Sequence, residues 1–374
     1  MCALKLVKTM RIREQIRACK AYAPGLSISQ IKDKYNLSRV IKLASNENPL
    51  GTSPLVLKAL EKYAPFAFRY PRAGSPELTA ALAGYHGLDQ ERFVVGNGSD
   101  EIIDLLIRAV PRPETDNIIL CQPSFSIYRL QATLCGVDQR FVPLNRDFSF
   151  AWSRLLDNID ELTALVFLTS PDNPSGFAPL ASEIIDFVHQ VPADCLVVLD
   201  EAYIDFSDQP DDHSPIGSLA DLPNLVILRT FSKMFGLAGL RLGYGVMAPE
   251  LATMLLRIKL PFSVNLLAEQ AGIAALQDRD FADQTTQTIR QGRQKLFHGL
   301  RELRCSVSPS QANFLMFAPP RDALNVHEAL LQKGIIIRPL DSYGLSDHLR
   351  VSIGTHSENT QFLHALGDIL GHYD

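Results

Sequence analysis

The chain has 374 residues, 46% hydrophobic and 21% charged, a balance of folded proteins with a large core that excludes a disordered or fibrous chain. A formal net charge of -5 without a basic cluster argues against a nucleic-acid partner, and no apolar run approaches the ~20 residues of a membrane span. The first residues lack the apolar core of a signal peptide, so the cytoplasm is the expected compartment. Cys2, Cys19, Cys121, Cys135, Cys195 and Cys305 show no C-x-x-C pairing, and histidines do not cluster. Neither a metal site nor a disulfide framework is expected, only reduced and mostly buried thiols.

In chain order, Lys5, Lys8, Arg11, Arg13, Arg17 and Lys20 are spread among apolar residues and read as an amphipathic, solvated helix or arm. Pro24, Gly25, Pro49 and Gly51 punctuate the first ~50 residues, which lack a sheet pattern of their own and read as an arm and loop packed onto something else. Short apolar runs at 92–96, 117–121, 164–169, 195–200, 225–230 and 242–247 are expected strands. Between them, 100–110, 125–135 and 180–191 carry the 3.6-residue spacing of helices with one apolar face. This alternation predicts an α/β fold with a mostly parallel central sheet covered on both faces. Beyond Pro249 the pattern becomes helices at 265–277 and 281–303, strands at 313–317, 335–339 and 349–353, and a last helix at 357–370. That is a smaller α+β domain, and the expected division is an arm over 1–50, a large domain over 51–262 and a small domain over 263–374.

Four features carry chemistry. Lys233, in Thr230-Phe231-Ser232-Lys233, directly follows an apolar strand, where desolvation turns an amine into a usable nucleophile. Asp200 ends the run Leu196-Val197-Val198-Leu199-Asp200 and so lies at the strand end that faces the crevice where open α/β sheets bind ligands. Gly96-Asn97-Gly98-Ser99-Asp100 is a glycine turn between a strand and a helix, whose backbone N–H groups and Ser99 hydroxyl suit an anion. Arg241, flanked by Gly239 and Gly243, is a fork-shaped cation suited to a phosphate. Taken singly, each has an ordinary structural explanation; the four together form a constellation.

These residues resemble the fold-type I aminotransferases, and most closely the histidinol-phosphate aminotransferase subfamily. The likeness runs through Tyr22-Ala23-Pro24-Gly25 and Leu43-Ala44-Ser45-Asn46-Glu47-Asn48-Pro49-Leu50-Gly51 to Leu349-Arg350-Val351-Ser352-Ile353-Gly354-Thr355. The Y-x-P-G opening and the L-A-S-N-E-N-P-L-G segment point to the subfamily, whereas Ser-Lys and Asp-x-x-Tyr specify only the wider class.

The resemblance implies pyridoxal 5'-phosphate as cofactor, with Lys233 as its Schiff-base lysine and proton carrier and Asp200 paired with the pyridine nitrogen, where an aspartate keeps the ring an electron sink. It implies Tyr203 and Asn173 at the cofactor O3′, Ser99, Asp100 (through its backbone N–H), Ser232 and Arg241 at the phosphate, and Phe125 stacked on the ring. Tyr70 would reach the phosphate of a neighbouring subunit, which makes a homodimer part of the site. Arg350 would clamp the substrate carboxylate, and Tyr22, Asn48 and Arg338 would complete the pocket, Arg338 for a substrate phosphate. The implied reaction exchanges an amino group between L-histidinol phosphate and 2-oxoglutarate, giving imidazole-acetol phosphate and glutamate. An aromatic amino acid aminotransferase and a decarboxylase of threonine-phosphate type share most of these motifs; a regulator on the same fold usually carries a fused DNA-binding domain. The chain departs from the common pattern in Ser170-Pro171-Asp172-Asn173-Pro174-Ser175-Gly176, where Asn-Pro-Asn-Asn-Pro-Thr-Gly is more frequent, and in Phe125, where tyrosine is frequent.

Overall fold

The computed structural model describes residues 11–18 and 27–371. A seven-stranded sheet organises the centre. Its strands are β2 (Phe93–Asn97), β3 (Asn117–Gln122), β4 (Asp138–Pro143), β5 (Thr163–Thr169), β6 (Leu196–Asp200), β7 (Leu225–Thr230) and β8 (Leu242–Val246), in the spatial order β2-β8-β7-β6-β5-β3-β4. From β7 to β4 every pairing is parallel, and only β8 runs antiparallel to both neighbours.

Strand side chains alternate between faces, so a sheet covered on both sides must be apolar throughout. Val95, Ile119, Val166, Leu168, Val197, Leu199 and Ile227 pack into one core, while Val94, Ile118, Leu120, Phe167, Val198, Val226 and Leu228 pack into another. The second core is closed by the helices Ser99–Ala109, Ser126–Cys135 and Pro249–Ile258 through Ile102, Leu106, Tyr128, Ala132 and Leu255. The first is closed by Pro76–His86, Ala181–Gln190 and Leu266–Gln277 through Leu78, Leu82, Ile184, Phe187 and Ala271.

Four antiparallel strands follow, β9 (Ser306–Val307), β10 (Phe314–Ala318), β12 (Arg338–Pro339) and β13 (Leu349–Ser352), ordered β12-β13-β10-β9. The helices Arg279–Glu302 and His356–Leu370 contribute Ile289, Leu296, Leu300, Phe362 and Leu366 to the same core. A two-residue strand β1 (Ile41–Lys42) pairs in parallel with β11 (Ile335–Ile336).

Two expectations change here. The single strand expected over 335–339 divides into β11 and β12, which belong to different sheets; the second strand of that pair includes Pro339, which has no N–H to give a ladder. The arm, read as lacking a sheet pattern, nonetheless contributes β1, too short to show alternation.

Among the described residues no helix is long and apolar enough to cross a membrane, and no group of His, Cys, Asp or Glu could hold a metal ion. Cys121, Cys195 and Cys305 are buried thiols and Cys135 is half-buried; Cys2 and Cys19 lie outside the described residues.

Candidate active site

The C-terminal ends of β2, β5, β6 and β7 lie on one edge of the sheet, and β8, running the other way, starts there. That edge collects the chemistry-bearing residues because each sits just past a strand end or, for Arg241, just before a strand start.

Lys233 follows β7 by three residues, and its Nζ donates to the Ser45 carbonyl oxygen at 3.2 Å and stands 5.5 Å from the centre of the Tyr203 ring. Burial, reinforced by the positive fields of Arg350 and Arg241, pulls this amine down to about 8. A substantial neutral fraction is therefore present near neutral pH, as a nucleophilic amine requires. Asp200, the last residue of β6, is buried; its Oδ1 accepts from the Ala202 N–H at 3.1 Å and its Oδ2 from the Tyr128 hydroxyl at 2.6 Å. Desolvation pushes this carboxyl up to about 6, against the opposing pull of those two donors. The Tyr203 hydroxyl accepts from Asn46 Nδ2 at 3.1 Å, which leaves its own proton to donate elsewhere.

An anion cup forms where β2 passes into its helix. Gly98 has φ 74°, and a Cβ there would lie 2.7 Å from Arg241 Nη2. A Cβ on Gly243 would lie 2.3 Å from the Ser99 nitrogen, so Gly243 needs glycine for close backbone approach and Gly98 for its positive φ. Arg241 donates through Nη2 to Asp100 Oδ2 at 3.1 Å and through Nη1 to the Ala238 carbonyl at 3.1 Å, with Ser232 Oγ at 3.5 Å. The Asp100 side chain thus holds the guanidinium, while the N-terminus of the helix Ser99–Ala109 supplies orphan N–H groups to a ligand. Phe125 immediately precedes the helix Ser126–Cys135 and meets the Tyr128 ring edge-on, with centroids 5.6 Å apart.

Opposite the sheet edge stands Arg350 on β13, buried, over the Phe314 ring at 5.1 Å. Its Nη1 donates to Asn173 Oδ1 and its Nη2 to the Ala44 carbonyl at 3.1 Å, while Nε is buried with no partner among the described residues. With Oδ1 of Asn173 taken, the amide NH₂ is the half left to donate. Arg338 is directly opposite Arg350 in the β12–β13 register, so the two guanidinium stems leave the same face.

Two expected residues are engaged otherwise. Tyr70 is 84% exposed and stacks obliquely on Phe262 at 5.0 Å. Asn48 is buried and fully engaged within the chain: Nδ2 donates to the Met234 carbonyl at 2.8 Å and to Thr285 Oγ1 at 3.3 Å, and Oδ1 accepts from the Leu50 N–H at 2.9 Å. It ties the 43–51 loop to the turn after Lys233. Tyr22 lies outside the described residues.

Sequence reasoning missed Tyr128, Thr169 and Asn46. Tyr128 stands three residues after Phe125, one helical turn on, and Asn46 lies inside the segment already singled out, but neither position names the partner that gives it a role. Asn46, at φ 55°, links three elements: its N–H donates to Ser352 Oγ at 2.9 Å, its Oδ1 accepts from that hydroxyl at 2.8 Å, and its carbonyl accepts from Asn313 at 3.1 Å.

The residues present fit pyridoxal 5'-phosphate: a glycine-cleared anion cup, a desolvated amine, a buried carboxylate and an aromatic ring beside them on one sheet edge. The family model described as aminotransferase class I and II matches residues 38–366. The histidinol-phosphate aminotransferase of Nitratidesulfovibrio vulgaris is 53% identical over 96% of this chain and 97% of its own. That of Oleidesulfovibrio alaskensis is also 53% identical, over 96% of this chain and 95% of its own. Among solved structures, the histidinol-phosphate aminotransferase from Sinorhizobium meliloti in complex with pyridoxal-5'-phosphate superposes with a TM-score of 0.87 at 26% identity, covering 97% of this chain and 98% of that one. The chain belongs to the class I and II aminotransferases and, within them, groups with the histidinol-phosphate aminotransferases.

Proposed function

We propose that the protein catalyses the exchange of an amino group between L-histidinol phosphate and 2-oxoglutarate, giving imidazole-acetol phosphate and glutamate, with pyridoxal 5'-phosphate as cofactor. The observation that carries this reading is the placement of Arg350 and Arg338 on one face, Arg350 with a buried unpartnered Nε, opposite the edge that bears Lys233 and Asp200. One pocket must accept a carboxylate from glutamate and a phosphate from histidinol phosphate, and two guanidinium forks suit both anions. The 53% identity to proteins named for this reaction favours it over decarboxylation or aromatic transamination.

Pyridoxal 5'-phosphate supplies an electron sink that makes the substrate Cα–H acidic. The rest is done by the chain. Lys233 Nζ, neutral in part near pH 8, would take the substrate Cα proton and return it two atoms further along, past the nitrogen. Asp200, a buried carboxylate, would sit against the pyridine nitrogen, where its negative charge would keep that nitrogen protonated. Tyr203, its hydroxyl free to donate, and the NH₂ of Asn173 would reach the cofactor O3′. Ser99, the Asp100 N–H, Ser232 and Arg241 would hold the phosphate, and Phe125 would cover the ring. Arg350 Nε offers an unused donor to the substrate carboxylate, Arg338 would take the substrate phosphate, and Tyr22 and Asn48 would border the pocket, Asn48 by fixing its loop.

The same reading makes the active unit a homodimer, with Tyr70 reaching the partner's phosphate cup, and divides the chain at 1–50, 51–262 and 263–374. Support for the dimer is the apolar surface of Leu57, Phe66, Phe68, Tyr70, Leu260 and Phe262, all exposed in the single chain. Its compartment would be the cytoplasm.

Absorbance spectroscopy tests the function. L-histidinol phosphate should convert the visible band of the loaded protein into a near-ultraviolet band, 2-oxoglutarate should reverse it, and Lys233→Ala should show neither. Carbon dioxide release without a keto acid, or a band that ignores histidinol phosphate, would overturn the proposal.

A further inference from the structure

We infer that Tyr128 is a positioning residue of the cofactor site, one whose hydroxyl fixes the Asp200 carboxylate in its ionised form and its orientation, while its ring sets the tilt of Phe125. The inference rests on the proposed role of Asp200.

Tyr128 is 0% exposed on the inner face of the helix Ser126–Cys135, and it is a large polar side chain that an apolar core would not select for packing alone. Its ring stacks on Phe167 with centroids 4.7 Å apart, and its hydroxyl makes two contacts: 2.6 Å to Asp200 Oδ2 and 3.0 Å to Thr169 Oγ1. The proton directions follow from valence. An ionised carboxylate has no hydrogen, so the proton between Tyr128 and Asp200 is the tyrosine's. The Tyr128 oxygen then accepts, and Thr169 donates to it. Thr169 is the residue that faces Asp200 in the β5–β6 register, so the chain Thr169 to Tyr128 to Asp200 closes on neighbouring strand ends and is polarised toward the carboxylate.

The need for this donor is electrostatic. Burial disfavours the charged form of Asp200, and Asp100, from the helix Ser99–Ala109, disfavours it further. Lys233, beyond β7, favours it. Tyr203, just past β6, and Asp172, just past β5, are the other titratable groups around the carboxylate and its tyrosine. Of the donors to the two oxygens among the described residues, the Ala202 N–H comes with the backbone and only Tyr128 is a side chain. The same residue touches Phe125 edge-on at 5.6 Å, so one side chain couples the acid at the ring nitrogen to the aromatic at the ring face.

The test is a binding titration of cofactor-stripped protein with pyridoxal 5'-phosphate, followed by fluorescence from acid to mildly alkaline pH. Tyr128→Phe keeps the ring and removes the donor. Affinity should fall roughly tenfold to a hundredfold, the worth of a hydrogen bond to a charged group, and the pH below which affinity is lost should rise by about one unit. A role in packing alone would not move that midpoint. Should Tyr128→Phe fail to fold, Thr169→Val carries the test by removing the outer donor, with a smaller upward shift expected. An unchanged affinity and midpoint in the folded variant overturns the inference. Asp200→Asn separates this from failure of the underlying reading: if that variant binds the cofactor as the parent does, the role of Asp200 itself is wrong.

Discussion

Lys233 shows most directly how burial creates chemistry at the scale of one residue. An amine of ordinary value 10.5 is held at about 8 by desolvation, with Arg350 and Arg241 adding repulsion. Below about pH 8 the folded chain buries an ammonium that the unfolded chain leaves in water, and the full destabilisation is present. Between 8 and 10.5 the unfolded chain binds the proton that the folded one has released, so stability rises with pH across that window. Lys233→Met should therefore stabilise the cofactor-free protein by roughly 3 kcal/mol at neutral pH, with the gain fading toward pH 10.5. Chemical denaturation at neutral and alkaline pH measures it, and an equal gain at both would refute the cause. Arg350 depends on shape as well as charge. Arg350→Lys keeps the cation but loses the fork that spans Asn173 and the Ala44 carbonyl, so the KM for 2-oxoglutarate should rise roughly tenfold to a hundredfold. Steady-state kinetics with both substrates would show it; an unchanged KM would remove Arg350 from carboxylate recognition.

Among the elements, the loop between β1 and the helix Pro54–Tyr63 does more than connect them. Asn46 adopts φ 55° there, a conformation asparagine tolerates better than most residues, and its side chain bonds Ser352 on β13 and Tyr203 after β6. Asn46→Ala loses both side-chain bonds and meets the left-handed penalty, so unfolding in urea should come about 2–4 kcal/mol earlier. Asn46→Gly should recover about 1 kcal/mol of that, since glycine removes the backbone part alone. The central strands were legible because burial on both faces makes them continuous apolar runs, and the residues that follow them stood out for the same reason. β4 was not legible: of Asp138–Pro143 only Val142 is buried, as suits a sheet edge, and neither alternation nor an apolar run marks it. The helices Pro54–Tyr63 and Pro76–His86 each begin with a serine followed by proline at the first helical position, a start signal present in the sequence but weaker than the strand pattern around it. Tyr128 and Asn46 stayed hidden because their partners, Asp200 and Ser352, are 72 and 306 positions away, a proximity only the tertiary fold creates.

For the molecule as a whole, the proposed site would draw one member, Tyr70, from a second copy of the chain. Tyr70 lies 84% exposed and packs on Phe262, itself an exposed apolar side chain, an arrangement that makes sense when a second copy covers the surface. Subunit mixing converts this into a count. Lys233→Ala and Tyr70→Ala homodimers should each be nearly inactive. Unfolded together and refolded in equal amounts, half of the dimers should be mixed, and in each mixed dimer one site receives both lesions while the other receives Lys233 from one chain and Tyr70 from its partner. Activity should return to about a quarter of the parent level, because half the dimers carry one intact site of two. If Tyr70 served its own chain, every site in the mixture would still lack one group and no activity would return, so the recovered fraction decides between a shared site and a self-contained one.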